Sequence, residues 1–250
     1  MIPFCCHGAQ VAAHRIAFTW GSSEFIGIEK QFTRFRSPQG ALVTDQPERI
    51  GSPEHLRQLY AEPSLLSQQK FMEALDEHCQ TMIRLSPFVC IATCDKNGSL
   101  DVSPRGDPPG SIKVLDEKHL LIPDRRGNNR LDTLTNLTVS PEIALYFVVP
   151  GVVESLRVSG VAQVIHDDPR LELCAIDGKT PVAGILVEVQ KACLQCGKAL
   201  VRSALWEDTY RVDRRDLPSF GEMLADQTDT GLSAEELDCS IDEAYEKRLY

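Results

Sequence analysis

The chain has 250 residues, 42% of them hydrophobic and 25% charged, which suits one decorated domain or two small ones around a substantial apolar core. Its 36 acidic residues outweigh 26 basic ones, and a net charge of −10 excludes general nucleic-acid binding, which needs clustered Lys and Arg against phosphate. No apolar run reaches the ~18 residues of a membrane helix, so no membrane partner is expected, and the opening MIPFCCHGAQVAAHRIAF lacks the basic region and cleavage site of a secretory leader, so the expected location is cytoplasmic.

Residues 1–47 show little periodicity and read as a poorly patterned extension. Residues 48–250 read as the folded domain. Ser52, Pro53 and Glu54 suit a helix start, and Met72, Leu75, Cys79, Met82 and Ile83 recur at helical spacing, predicting one helix over 64–85. The period then shortens. Strands are expected at 88–94, 100–103, 112–115, 119–123, 143–149, 156–165 and 184–189, joined by tight turns such as Asn97-Gly98 and Pro150-Gly151, with Gly160 a candidate bulge. Short strands with tight turns predict an antiparallel barrel rather than a nucleotide-binding parallel sheet, and neither G-x-G-x-x-G nor the P-loop motif is present. Small helices are expected at 168–177 and 198–205, and amphipathic ones in the acidic tail beyond Leu217.

One loop stands out against the acidic background: Arg125, Arg126, Gly127, Asn128, Asn129 and Arg130 lie between a strand and a short helix carrying Leu131, Leu134 and Leu137. A Gly-Asn turn opening a helix presents free N–H groups, and guanidinium forks match phosphate oxygens, so the loop reads as a phosphate cradle or, in the plainer alternative, as a solvated turn. Arg105, in SPRGD, is a second candidate, which Asp107 would simply hold by a charge-assisted bond in the structural alternative. Lys198, Arg202 and Trp206 are spaced four apart, which on one helix would align two cations and an aromatic ring. Nine cysteines at irregular spacing read as reduced thiols; Cys193 and Cys196 have the spacing of half a zinc or redox site, but no second half accompanies them and no metal is expected.

Three segments together resemble the FMN-binding split-barrel family related to pyridoxamine 5'-phosphate oxidase: SPFVCIATCDKNGSLDVSPRGDPPG, LLIPDRRGNNRLDTLTNL and SPEIALYFVVPGVVESLRVSG. A looser match continues through CGKALVRSALW to RLY. The resemblance implies a mainly β fold with flanking helices, a six-stranded antiparallel split β-barrel, one of the seven strand runs being an extra edge strand or an error. It implies FMN as cofactor, with its phosphate and ribityl chain at Asn129 and Arg130, Arg126 and Asn128 beside them, and Arg105 reaching the flavin. It places Ser155 near the flavin ring, with Arg157 beside it at the strand start. It further implies a homodimer with flavin at the interface, Lys198, Arg202 and Trp206 coming from the partner, and a small-molecule substrate or electron donor.

The likeness is closer to the uncharacterised branch of that family than to the pyridoxamine phosphate oxidases proper, since those end in R-L-x-P and this chain in RLY. Vitamin B6 oxidation is therefore not assigned. The implied function is flavin-mediated hydride or electron transfer. Alternatives left open are a non-catalytic flavin or haem carrier or sensor, with His119 the candidate axial ligand, a deazaflavin-dependent reductase, and a structural barrel with an empty site.

Overall fold

The computed structural model describes residues 49–250, so the expectation for residues 1–47 lies outside the described chain. Two compact units are distinguished, the second spanning Pro63–Tyr250. The described part of the first holds one helix, α1 (Pro53–Leu59), begun as expected: the Ser52 hydroxyl accepts from the His55 amide at 3.2 Å and Pro53 takes the first helical turn.

The second unit is built on a seven-stranded sheet in which every neighbouring pair is antiparallel. Its strands are β1 (Phe88–Cys94), β2 (Leu100–Gly106), β3 (Lys113–Val114), β4 (His119–Pro123), β5 (Glu142–Val148), β6 (Ser155–His166) and β7 (Ala183–Gln195), in the spatial order β2-β1-β5-β6-β7-β4-β3. All seven expected runs are strands. The one beyond six is β3, a two-residue edge strand, and the sheet is open between β3 and β2.

Strand alternation decides what faces inward. Val89, Ile91 and Thr93 of β1 point into the core opposite Phe147, Leu145 and Ile143 of β5, while Phe88, Cys90, Ala92 and Cys94 point out. Leu120 and Ile122 of β4, Leu156 and Val158 of β6, and Ile185, Val187 and Val189 of β7 complete one buried cluster. Burying a side chain of that size is worth ~2 kcal/mol, so this cluster dominates the fold's stability.

Gly160 is the bulge that the sequence suggested. The β6–β7 register shifts between Ser159 and Gly160, and a Cβ at Gly160 would lie 1.9 Å from the Glu188 carbonyl oxygen. The extra residue on β7 breaks its alternation, which explains why β7 runs six residues past its expected end at 189.

The single helix expected over 64–85 is instead two, α2 (Leu65–Gln69) and α3 (Glu77–Leu85). Met72 leaves the helical path to exchange backbone hydrogen bonds with Ala192 of β7, at 2.9 and 2.8 Å, and Asp76 starts α3 afresh by accepting from the Cys79 amide at 2.8 Å. Leu75 and the buried face of α3, Cys79 and Ile83, join the core. The helix expected at 168–177 is a 3-10 turn, Pro169–Cys174. A six-residue helix, α4 (Asp132–Leu137), follows the basic loop, and α5 (Lys198–Ser203) follows β7. The acidic tail folds as α6 (Phe220–Gln227) and α7 (Ala234–Lys247), which pack on each other where the Gly221 amide donates to Asp238 at 2.6 Å.

Candidate functional site

The open side of the sheet is closed by charge rather than by a strand ladder. Arg105, near the end of β2, donates to Asp124, just past β4, at 2.7 Å. In the neighbouring pair the polarity reverses: Arg125 donates through Nε to Asp107 at 2.6 Å. All four side chains are mostly buried. The Arg105–Asp107 bond of the structural alternative is therefore not formed; each residue takes a partner from across the opening, because the curved sheet brings the ends of β2 and β4 together. A charge-assisted bond of this kind is worth roughly 1.5–3 kcal/mol.

These two bridges floor a cavity of about 1190 Å³, open to solvent. That exceeds the ~300–1,000 Å³ common for small-molecule sites and leaves room for a cofactor with a second ligand. One wall is the loop 124–131 and the first turn of α4. There Asn128 accepts from the Arg130 amide at 3.1 Å, and Asn129 and Leu131 adopt left-handed backbone, φ 59° and 60°. Leu131 in that conformation costs ~1–2 kcal/mol, local strain of a kind that collects at functional sites. No side chain caps α4, so its first amides have no side-chain partner among the described residues.

Thr133, 2% exposed and lining the cavity, carries a buried hydroxyl without a partner, the only such side-chain atom among the described residues. A buried hydroxyl left unpaired costs about 1–3 kcal/mol. It leaves this wall with one donor that no group of the described chain answers.

Charge pairing ranks the arginines. Arg105 and Arg125 are held by carboxylates, and Arg130 donates to Asp132 at 2.8 Å on the surface. The Arg126 side chain lines the cavity with no ion pair or hydrogen bond among the described residues, and so does that of Lys179, from the turn after the 3-10 segment. Lys179 ends a tight turn through Asp177 and Gly178, both left-handed, closed by backbone bonds between Ile176 and Lys179 at 3.1 and 2.9 Å. A third wall comes from Tyr245 and Tyr250; the Tyr250 hydroxyl donates to Asp107 at 2.8 Å, and its ring lies 5.8 Å from the Arg125 guanidinium. That bond to a carboxylate, above all else, raises the Tyr250 phenol above its ordinary pKa.

Of the residues singled out from the sequence, Arg105, Arg126, Asn128, Asn129 and Arg130 line this one cavity. The others do not. Ser155 is fully buried and donates to the Tyr146 hydroxyl at 2.7 Å. Arg157 points outward over Phe71. Lys198, Arg202 and Trp206 do not share one helical face, because Ala204 turns left-handed at φ 46° and ends α5 before Trp206, whose indole donates to the Val152 carbonyl at 2.9 Å. His119 holds Asp116 at 2.9 Å on the β3–β4 turn, away from the cavity. Among the described residues no His, Cys, Asp and Glu cluster could hold a metal ion. Sequence reasoning missed Asp124, Thr133, Lys179 and Tyr250. The first two lie inside the basic-loop segment and Lys179 follows an Asp-Gly turn, whereas only the fold brings Tyr250 here.

The family model for pyridoxamine 5'-phosphate oxidase matches residues 75–187, just under half of the chain, and that stretch contains the whole basic loop, Asp107, Thr133 and Lys179 but not Tyr250. No curated protein matches the chain. Among solved structures, HupZ of Group A Streptococcus is 17% identical, with 47% of this chain and 91% of that one covered and a TM-score of 0.40. A Clostridium acetobutylicum protein related to general stress protein 26 of B. subtilis, of the pyridoxinephosphate oxidase family, is 17% identical over 48% and 86%, TM-score 0.36. HutZ, the haem storage protein of Vibrio cholerae, is 15% identical over 49% and 94%, TM-score 0.33.

Proposed function

We propose, on the premise that the chain belongs to the pyridoxamine 5'-phosphate oxidase-like family through residues 75–187, that its cavity binds FMN and that the protein is a flavin-dependent oxidoreductase acting on a small molecule. The observation that carries this reading is the orphaned hydroxyl of Thr133 in the wall that also holds the unpaired Arg126. A phosphate monoester answers both: Arg126 offers a planar fork of donors, Thr133 one more, and the uncapped amides of α4 the rest. When bound, the flavin supplies the hydride or electron transfer, so no acid or base of the chain is required for the chemistry itself. The chain's work is to bind and orient. Asp124 and Asp107 fix Arg105 and Arg125, so that the cavity floor stays rigid when a ligand enters.

The same reading includes a homodimer. Its support is the outer face of β2, β1 and β5, where Leu100 and Val102 are 80% and 64% exposed beside outward-facing Cys90, Ala92 and Tyr146. In such an assembly Lys198, Arg202 and Trp206 serve the partner's cavity. Val102→Glu is expected to yield a monomer in sedimentation analysis.

The test is the absorbance spectrum of purified protein followed by FMN titration read by fluorescence quenching. Flavin bands or saturable quenching are expected, with Arg126→Ala weakening binding about tenfold at unchanged melting temperature and Thr133→Val weakening it about tenfold while raising the melting temperature of the flavin-free protein, since the unpaired hydroxyl is gone. A Soret band would replace the flavin with haem, and a colourless protein indifferent to FMN would overturn the assignment and turn the search to a deazaflavin.

A further inference from the structure

The tail has an attachment that the family match does not cover. Among the described residues, the bond from Tyr250 to Asp107 is the only hydrogen bond between residues 213–250 and the rest of the chain, and no ion pair joins them. Otherwise α6 and α7 pack chiefly on each other, with no buried residue in α7 and only Gly221 buried in α6. Leu217, Phe220, Leu232 and Tyr245 remain about half exposed or more. Such a segment, with few buried apolar contacts, opens at a small cost compared with the sheet. Its single tether falls inside the cavity.

We propose that residues 213–250 form a gate over the cavity, latched by Tyr250 on Asp107, which opens to admit the flavin and closes with Tyr245 and Tyr250 as part of its wall. This rests on the reading of the cavity as the FMN site. The latch shares its carboxylate with the floor: Asp107 accepts Tyr250 on Oδ1 and Arg125 on Oδ2, and the Tyr250 ring lies against that same guanidinium. Closing the gate therefore shields Arg125, and opening it leaves the Asp107–Arg125 bridge intact. The floor does not have to be rebuilt each time a ligand passes.

Tyr250→Phe keeps the ring and removes the donor. Two readouts are taken on the full chain at unchanged melting temperature: phenylglyoxal labelling of Arg125 in the flavin-free protein, with exposed Arg130 as internal reference, and the association rate of FMN by stopped-flow quenching. Loss of a hydrogen bond to a carboxylate is expected to raise both by about tenfold. Unchanged labelling of Arg125 would overturn the latch. Faster labelling with an unchanged FMN association rate would overturn the gate. Faster labelling in a protein that binds no FMN would leave the gate standing and remove the flavin reading.

Discussion

The central strands and the seam between β2 and β4 hold the curved sheet together by different means. Along β1, β5, β6 and β7 the link is a continuous backbone ladder over an apolar interior, with twelve residue pairs between β6 and β7 alone. At the seam it is two ion pairs of opposite polarity, Arg105–Asp124 and Arg125–Asp107. A ladder admits nothing between its strands. A seam held by side chains leaves its outer surface free, and the cavity sits there. Stability is concentrated in one region and binding in the other, so substitutions in each should separate cleanly.

The largest effect is expected in the ladder. Gly160→Ala would put a methyl group onto the Glu188 carbonyl, an overlap that only backbone movement can relieve, and about 3 kcal/mol should be lost in chemical denaturation. At the seam, Asp107→Ala strands Arg125 and frees Tyr250; a loss of about 2 kcal/mol is expected, against under ~0.5 kcal/mol for Asp132→Ala at the exposed Arg130 pair. Equal losses from the two aspartates would mean that the seam is no more than surface charge.

Thiol reactivity separates the regions more finely. Burial beneath the sheet pushes the Cys79 thiol up to about 12, whereas the Lys198 amide, with help from Lys198 and Lys70, lowers that of exposed Cys196. Alkylation near pH 8 should therefore mark Cys196 readily and leave Cys79 untouched until the sheet unfolds. The smallest effect is on pH dependence. Because the Tyr250 pKa is raised above 10.0 in the folded chain, its contact with Asp107 is fully present below pH 10 and is lost as the pH rises through the raised value. Spectrophotometric titration of Tyr250→Phe should lose a phenol from the alkaline end of the wild-type curve.

Alternation made the sheet legible: Val89, Ile91, Ile143, Leu145 and Phe147 announce strands with one buried face, and Gly160 announces its own bulge. Where tertiary contacts overrode periodicity, the reading went astray. Met72 sits at helical spacing yet bonds to Ala192, and the left-handed Ala204 removes Trp206 from the face that four-residue spacing implied. The basic loop was legible as an anion site, but which of its arginines is free was not. That depends on Asp107 and Asp124, partners 18 and 19 residues away in sequence, and on a fold that joins them. Tyr250 stands 143 residues from Asp107 and carried no local signal at all.

The most direct test of the central claim compares FMN with riboflavin on the same protein by calorimetry, in wild type and in Arg126→Ala. If the wall of Arg126 and Thr133 is a phosphate cradle, wild type should prefer FMN by about a hundredfold, as two or more charge-assisted bonds require, and Arg126→Ala should cut that preference about tenfold while leaving riboflavin binding unchanged. Equal affinity for the two flavins, or no binding of either, would contradict it.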